Sequence, residues 1–194
     1  MRIIAGELRG RTFDAPPGRG TRPTTDQVRE AIFSILGDLG GAMVIDLFAG
    51  SGALGLEALS RGAARAVFVE SSKRALATLR KNVRALGVAS RAAVVGRRVE
   101  QCASAVAVLG PFDVVLCDPP WLQMQASERA LARFLRAPPL RPAARLVLGH
   151  PKRHELELPA DAPLSRSSRR TWGDAAASFF TWTGSATELG APAG

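Results

Sequence analysis

A run of ten residues near the middle of the chain combines a buried strand with side chains that can do chemistry. Phe112–Cys117 is an apolar strand, and Asp118-Pro119-Pro120-Trp121 follows it directly. Because two consecutive prolines fix the backbone φ angles, the carboxylate of Asp118 and the carbonyl oxygen of Pro119 can converge as rigidly placed acceptors. A base amine held by both acceptors would turn its nitrogen lone pair toward a methyl donor, and Trp121 offers a flat face for stacking. These four residues are the candidate catalytic residues.

A glycine-rich turn lies upstream, at the end of another apolar run. The sequence from Asp46 to Gly55, DLFAGSGALG, satisfies the pattern GxGxxG and opens a helix. This pattern occurs in nicotinamide enzymes and in methyltransferases, so alone it predicts only a ligand close to the backbone. The residues expected to contact that ligand are Asp46, Phe48, Ala49, Gly50, Ser51, Gly52 and Gly55.

Two carboxylates favour a cationic ligand over a dinucleotide. Asp46 stands four residues before Gly50, where the strand becomes a loop, and Glu70 ends the next strand. A carboxylate at the position of Asp46 would repel a pyrophosphate, but it suits a ligand with an ammonium group and a sulfonium centre. Glu70 is placed to accept both ribose hydroxyls, a contact that NAD and S-adenosylmethionine sites share.

The charge of the chain indicates a phosphate-rich partner. The sequence has 194 residues with 26 basic and 17 acidic side chains, a net charge of +9, and all but three of the basic residues are arginine. Arginine grips phosphate bidentately and stacks on bases, which favours nucleic acid. We expect no membrane span, no metal site and no signal peptide, and therefore a cytoplasmic protein, which we expect to be a monomer.

Alternating apolar strands and amphipathic helices predict an α/β fold with a mostly parallel, doubly wound sheet. Two further strands, at 164–171 and 178–182, predict an antiparallel C-terminal hairpin. Within the catalytic part we expect a first helix from Thr24 or Thr25 to Leu39 and later helices at 71–86, 99–109 and 127–136. The predicted organisation is a basic N-terminal extension at 1–23 with a hairpin, a catalytic domain at 24–183 and a tail at 184–194.

Several segments resemble one family, the RsmD family of bacterial 16S rRNA guanine-N2 methyltransferases. Residues 118–121 resemble the amino-methyltransferase signature (Asn/Asp/Ser)-Pro-Pro-(Tyr/Phe/Trp), and residues 46–63 are very similar to the family's cofactor segment. The opening Arg2-Ile3-Ile4-Ala5-Gly6 and the segment RPTTDQVREAIF at 22–33 are also similar. The resemblance extends to about Trp182.

The resemblance implies a Rossmann-like class I methyltransferase with S-adenosylmethionine as the methyl donor. It also implies a guanine of 16S rRNA as the substrate, within the small ribosomal subunit or an assembly intermediate. In the family, the Arg-Pro-Thr segment lies over the active site, which makes Arg22, Thr24 and Arg29 candidate contacts for RNA or the active site.

Two departures from the family and three rival functions stay open. After the third strand the sequence is Gly96-Arg97-Arg98-Val99-Glu100, so backbone groups around Arg98 and Val99 are the candidates for holding adenine; Trp172 replaces the usual tyrosine. Asp-Pro-Pro-Trp would serve the adenine amine as well as the guanine amine, so an adenine methyltransferase for RNA or DNA is the nearest rival. A nicotinamide oxidoreductase and an inactive RNA-binding assembly factor are the others.

Overall fold

A seven-stranded mixed sheet forms the centre of the protein, in a computed structural model that describes residues 1–15 and 25–184. The strands, in chain order, are β1 (Met43–Leu47), β2 (Arg65–Val69), β3 (Ala92–Val95), β4 (Phe112–Cys117), β5 (Leu140–Pro151), β6 (Leu164–Trp172) and β7 (Ala175–Trp182). Their order across the sheet is β3-β2-β1-β4-β5-β7-β6. The first five are parallel, and β7 pairs antiparallel with both β5 and β6. The predicted fold class, with its antiparallel C-terminal hairpin, is confirmed.

Helices cover both faces of this sheet. They are α1 (Asp26–Leu36), α2 (Ala53–Ser60), α3 (Lys73–Ala85), α4 (Ala103–Ala107) and α5 (Met124–Phe134). Apolar side chains of α1, α2 and α3 form one half of the core with the N-terminal segment, and those of α4 and α5 form the other half. Val44 and Ile45, adjacent on β1, are both fully buried and belong to opposite halves. This two-sided burial explains why the central strands are continuous apolar runs.

Several element boundaries differ from those predicted. Helix α1 begins after Thr25, whose hydroxyl accepts from the amide of Val28 at 3.3 Å, but it ends at Leu36 because Gly37 adopts a φ of 71°. Leu39 is buried beyond the helix end, so its apolar character reflected the core and not helical periodicity. The helix predicted at 99–109 is a short turn followed by α4, and α5 begins earlier than predicted. Strand β5 also begins earlier, at Leu140.

The N-terminal segment, residues 1–15, packs on α2. The carboxylate of Glu57 accepts from the amides of Ile4 and Ala5 at 2.9 and 3.1 Å, and Ile3 and Phe13 lie in the core. The predicted hairpin is reduced to a single antiparallel bridge between Arg2 and Thr12. Because α2 starts at the glycine turn, this segment is tied to the same helix that the turn opens.

Candidate active site

A cavity of about 700 Å³ lies at the carboxyl ends of β1, β2 and β4. Most of the predicted site residues line it: Asp46, Phe48, Ala49, Gly50, Ser51, Glu70, Arg98, Val99, Asp118, Pro119, Pro120 and Trp121. They meet because β1 pairs with β2 on one side and with β4 on the other, so the ends of the three strands are adjacent. In open α/β sheets such a point, where the strand order reverses, is the usual ligand site.

Two of the predicted ligand contacts, Gly52 and Gly55, do not line the cavity. A Cβ on Gly55 would lie 2.3 Å from the ring of Phe68, and a Cβ on Gly52 would lie 2.5 Å from the side chain of Leu79. Glycine is needed at both positions because α2 packs closely on β2 and α3. The structure gives both glycines a packing role, and their direct contact with a ligand stays a prediction.

Asp46 is almost fully buried at the end of β1. One carboxylate oxygen accepts from the amide of Gly55 at 2.9 Å. Burial raises the pKa of Asp46 to about 8, and the negative charges of Asp118 and Glu70 also raise it. The cavity thus brings three carboxylates together, an arrangement that a cationic ligand relieves and a pyrophosphate worsens. The three carboxylates match the positively charged ammonium and sulfonium groups of S-adenosylmethionine. Their charge argues against the nicotinamide oxidoreductase alternative.

Glu70 connects the glycine turn to the start of α3. One of its carboxylate oxygens accepts from the amide of Gly50 at 2.8 Å, and the other accepts from the amides of Ser71 and Ser72, each at 2.7 Å. Three backbone donors therefore fix the carboxylate at the cavity wall. Because a carboxylate offers about four lone-pair sites, acceptor capacity remains for a ribose.

Residues after β3 form a further part of the wall. Val99 is buried against the core, whereas Arg98 is exposed and pairs with Glu100 at 3.2 Å. Arg97 lines the same wall, next to the two residues expected from the sequence. Other lining residues were missed by sequence reasoning: Met1, Leu54, Ser72, Arg74, Leu122 and Gln123. No motif indicates them, because they come from the N-terminus and from the starts of helices.

Asp118 lies against the backbone of β5. A Cβ built on Gly149 would be 2.5 Å from a carboxylate oxygen of Asp118, so only glycine leaves room for the carboxylate in this orientation. Asp118 itself follows β4, which pairs with β5 through Cys117 and Leu148. Gly149 thus fixes the space available to Asp118, and no sequence signal indicated it.

A second cavity, of about 320 Å³, adjoins the first. Asp118 and Trp121 line both, so the Asp-Pro-Pro-Trp turn stands at their junction. The remaining walls come from α1, from β5 and from the β6–β7 turn: Thr25, Gln27, Val28, Ile32, Gly149, His150, Trp172, Gly173, Asp174, Ala175 and Ala176. Sequence reasoning did not predict this cavity, although it noted Trp172.

Of the three predicted RNA contacts, only Arg29 lies within the described residues. Arg22 and Thr24 lie outside the described residues. Arg29 is fully buried, and its guanidinium donates to the carbonyl oxygen of Arg2 and to the carboxylate of Asp26. Such a side chain is unavailable to RNA, which corrects the expectation for Arg29. It joins α1 to the N-terminal segment instead.

The two histidines have protein partners. The ring of His150 donates from Nδ1 to the carbonyl oxygen of Pro151 at 2.9 Å, and its Nε2 accepts from the hydroxyl of Ser178 at 3.0 Å. His154 lies 2.9 Å from the carboxylate of Glu128. Within residues 1–15 and 25–184, no group of side chains has the composition of a metal site. No helix in the same ranges is long and apolar enough to cross a bilayer.

Curated relatives and solved structures support one family. The family model described as conserved hypothetical protein 95 matches residues 1–181. The chain is 45% identical over 123 residues to ribosomal RNA small subunit methyltransferase D of Escherichia coli, an alignment that covers 62% of this chain and 60% of that protein. It is 36% identical over 146 residues to the protein of the same name in Haemophilus influenzae, covering 74% of this chain and 75% of that protein.

Among solved structures, the Escherichia coli methyltransferase yhhF matches with a TM-score of 0.77 at 34% identity, covering 94% of this chain and 98% of that chain. An RNA methyltransferase from Salinibacter ruber, solved with S-adenosyl-L-homocysteine, matches in fold with a TM-score of 0.63 at 18% identity, covering 84% and 94%. The prediction of S-adenosylmethionine as the cofactor is confirmed at the level of the family. The match over nearly the whole length shows that the chain belongs to the conserved hypothetical protein 95 family, the RsmD family whose motifs its sequence resembles.

Proposed function

We propose that the chain transfers a methyl group from S-adenosylmethionine to the exocyclic 2-amino group of a guanine in 16S rRNA. The substrate is the small ribosomal subunit or an assembly intermediate. The observation that carries this proposal is the position of Asp118 and Trp121 at the junction of the two cavities. The carboxylate of Asp118 and the ring of Trp121 thus stand between a cavity suited to a cationic methyl donor and a second cavity that could hold the base to be methylated.

The second cavity is the proposed base pocket. Trp121 lines both cavities, Trp172 lines the second one, and His150 lies buried in the wall of the second cavity. Aromatic rings stack on a base that has been taken out of its helix, and a base enclosed in this way is shielded from water. The names of the Escherichia coli and Haemophilus influenzae relatives support small-subunit rRNA as the source of the base.

The chemistry follows from the acceptors at the junction. When bound, S-adenosylmethionine supplies an electrophilic methyl group on a positively charged sulfur. The carboxylate of Asp118 and the carbonyl oxygen of Pro119 accept the two amine hydrogens and aim the nitrogen lone pair at the methyl carbon. The bound donor would supply the methyl group to this nitrogen and leave as S-adenosylhomocysteine, and the proton that the nitrogen loses would pass to solvent. Proximity and preorganised acceptors supply most of the acceleration.

Substrate and base are tested together by methylation of ribosomal subunits. Small subunits from a strain without the family enzyme are incubated with the protein and tritiated S-adenosylmethionine, and the rRNA nucleosides are identified by mass spectrometry. The proposal expects label in 16S rRNA as N2-methylguanosine. Label found as N6-methyladenosine would establish the adenine alternative, and binding of the cofactor without any label would favour the inactive assembly factor.

The contact between β5 and the catalytic carboxylate gives a second test. We expect Gly149→Ala to lower the turnover number at least about tenfold, because the added methyl group forces the Asp118 carboxylate to rotate away and misplaced groups lose much of their effect. Binding of S-adenosylhomocysteine and the melting temperature should change little, because only one side chain has to move. Steady-state kinetics, calorimetry and thermal melting separate the three quantities. An unchanged turnover number would contradict the role given to this carboxylate orientation.

A further inference from the structure

Five cations lie together at the outer edge of the sheet. Arg166, Arg169 and Arg170 are exposed on β6, the last strand of the sheet, and Lys152 and Arg153 are exposed just after β5. We call this group the basic edge. Arg169 and Arg170 belong to the late segment at 169–173 in which Trp172 replaces the usual tyrosine, but the arginines predicted to contact RNA were Arg22 and Arg29.

The cations of the basic edge are held in place without being neutralised. The guanidinium of Arg169 donates to the carbonyl oxygen of Lys152, and that of Arg170 donates to the carbonyl oxygen of Arg169 at 3.1 Å. Arg166 lies over the ring of Phe180, with its guanidinium carbon 5.5 Å from the ring centroid. No carboxylate in the described part of the chain forms an ion pair with any of the five.

Three other basic residues form ion pairs with carboxylates of the fold. Arg61 pairs with the buried carboxylate of Glu57 at 2.8 Å, Lys81 pairs with Asp14 at 2.7 Å, and Arg91 pairs with Glu7. Their charges are used within the fold. Among the described residues, Glu155, Glu157 and Asp161 of the following loop form no ion pair with the basic edge.

The basic edge leads directly to the second cavity. Strand β6 ends at Trp172, which lines that cavity together with Gly173 of the β6–β7 turn. Since a strand rises about 3.4 Å per residue, Arg170 lies only about 7 Å along the strand from Trp172. Burial lowers the pKa of His150 in the cavity wall, and the charges of Arg169 and Arg166 add to this effect, which puts edge and cavity within electrostatic range.

We propose that the basic edge binds the phosphate backbone of the RNA next to the base that enters the second cavity. The proposal rests on the proposed function for the nature of the substrate. Phosphates are the chemical partner that exposed guanidinium groups recognise best when, as in the described part of this chain, no carboxylate pairs with them, and such contacts set the register of a nucleic acid without reading its sequence. The edge would thereby deliver the target nucleotide to the Asp-Pro-Pro-Trp turn.

The test compares two double variants of equal charge. Arg169→Gln/Arg170→Gln removes two charges from the basic edge. Arg80→Gln/Arg84→Gln removes two charges from exposed positions of α3, which packs on β3 at the opposite edge of the sheet. Binding of an unmodified 16S rRNA transcript is measured by filter retention over a series of salt concentrations, without S-adenosylmethionine. Thermal melting checks that both variants fold.

The basic-edge variant should bind RNA about tenfold more weakly at low salt. The slope of log K against log salt should become smaller in magnitude by roughly 1.4 to 1.8, because two phosphate contacts fewer release correspondingly fewer counterions. Arg169→Lys/Arg170→Lys should keep most of the slope. The α3 variant should bind like the wild type; equal losses in both variants, or none at the basic edge, would overturn the proposal. The readout is RNA retention, so a failure of the guanine assignment would leave this result standing.

Discussion

Replacement of Asp118 by alanine is expected to lower the turnover number of methyl transfer roughly a thousandfold, the effect of losing a preorganised acceptor at the reacting atom. Asp118 and Trp121 are the two residues in the described part of the chain that line both cavities, and the substitution removes the hydrogen-bond acceptor of Asp118. Single-turnover incorporation of label into small subunits measures the chemical step directly. Calorimetry with S-adenosylhomocysteine should show affinity within a few-fold of wild type.

Asp118→Asn is the matched control, because asparagine keeps an acceptor oxygen of the same size. The amino-methyltransferase signature that residues 118–121 resemble accepts asparagine at this position, so we expect much of the activity to remain. Retention in Asp118→Asn and loss in Asp118→Ala would show that the acceptor matters more than the negative charge. Equal activity in Asp118→Ala and in the wild type would exclude the proposed mechanism.

Asp46→Asn is expected to weaken binding of S-adenosylmethionine roughly a hundredfold, because it removes a buried negative charge facing a cationic ligand. The amide oxygen of asparagine can still accept from the amide of Gly55, so the glycine turn keeps its hydrogen bond. Isothermal calorimetry gives the affinity, and circular dichroism verifies the fold. An affinity like that of the wild type would show that the ammonium group lies elsewhere.

The pH dependence of the wild-type protein provides an independent readout. The pKa of Asp46 is raised to about 8 without a ligand, so the carboxyl is largely protonated at pH 6. A cationic ligand favours the ionised form, and binding below pH 8 therefore releases a proton and tightens as the pH rises from 6 to 8. The dependence should be much weaker in Asp46→Asn.

Asp46 also affects the stability of the ligand-free protein. Because its folded-state pKa lies above the unfolded value of 3.8, protonated Asp46 favours the folded state; this contribution is fully present below the unfolded pKa, declines as the pH rises from there, and is lost once the pH has passed about 8. A saturating cationic ligand should offset that loss. Thermal melting at pH 7 and pH 9, with and without S-adenosylhomocysteine, measures both effects.

The sequence was most informative where chemistry depends on short segments at strand ends. Asp46, Glu70 and Asp118 each follow an apolar run, and parallel strands bring such ends to one edge of the sheet. The fold class was predictable for the same reason, since alternating strands and helices allow few topologies. The donor cavity could therefore be assembled in outline from local patterns alone.

The base pocket could not be predicted because its walls come from distant parts of the chain. Gly149 matters only through its distance to Asp118, and Trp172 contributes because β6 turns back along β7 beside β5. The prediction for Arg29 relied too much on its own segment, because a basic residue in a family motif suggested a surface contact. Its burial depends on Glu57 and on the carbonyl oxygen of Arg2, neither of which its own segment indicates.

The strand order has a consequence for synthesis on the ribosome. Strand β1 emerges first, but its partner β4 begins only at Phe112, after the three connections that contain α2, α3 and α4. Until then one edge of an apolar, otherwise buried strand has no partner, and such edges invite aggregation. Asp46 and Asp118 can approach each other only when β4 arrives, so the nascent chain acquires its catalytic centre late and depends on protection of β1 before that point.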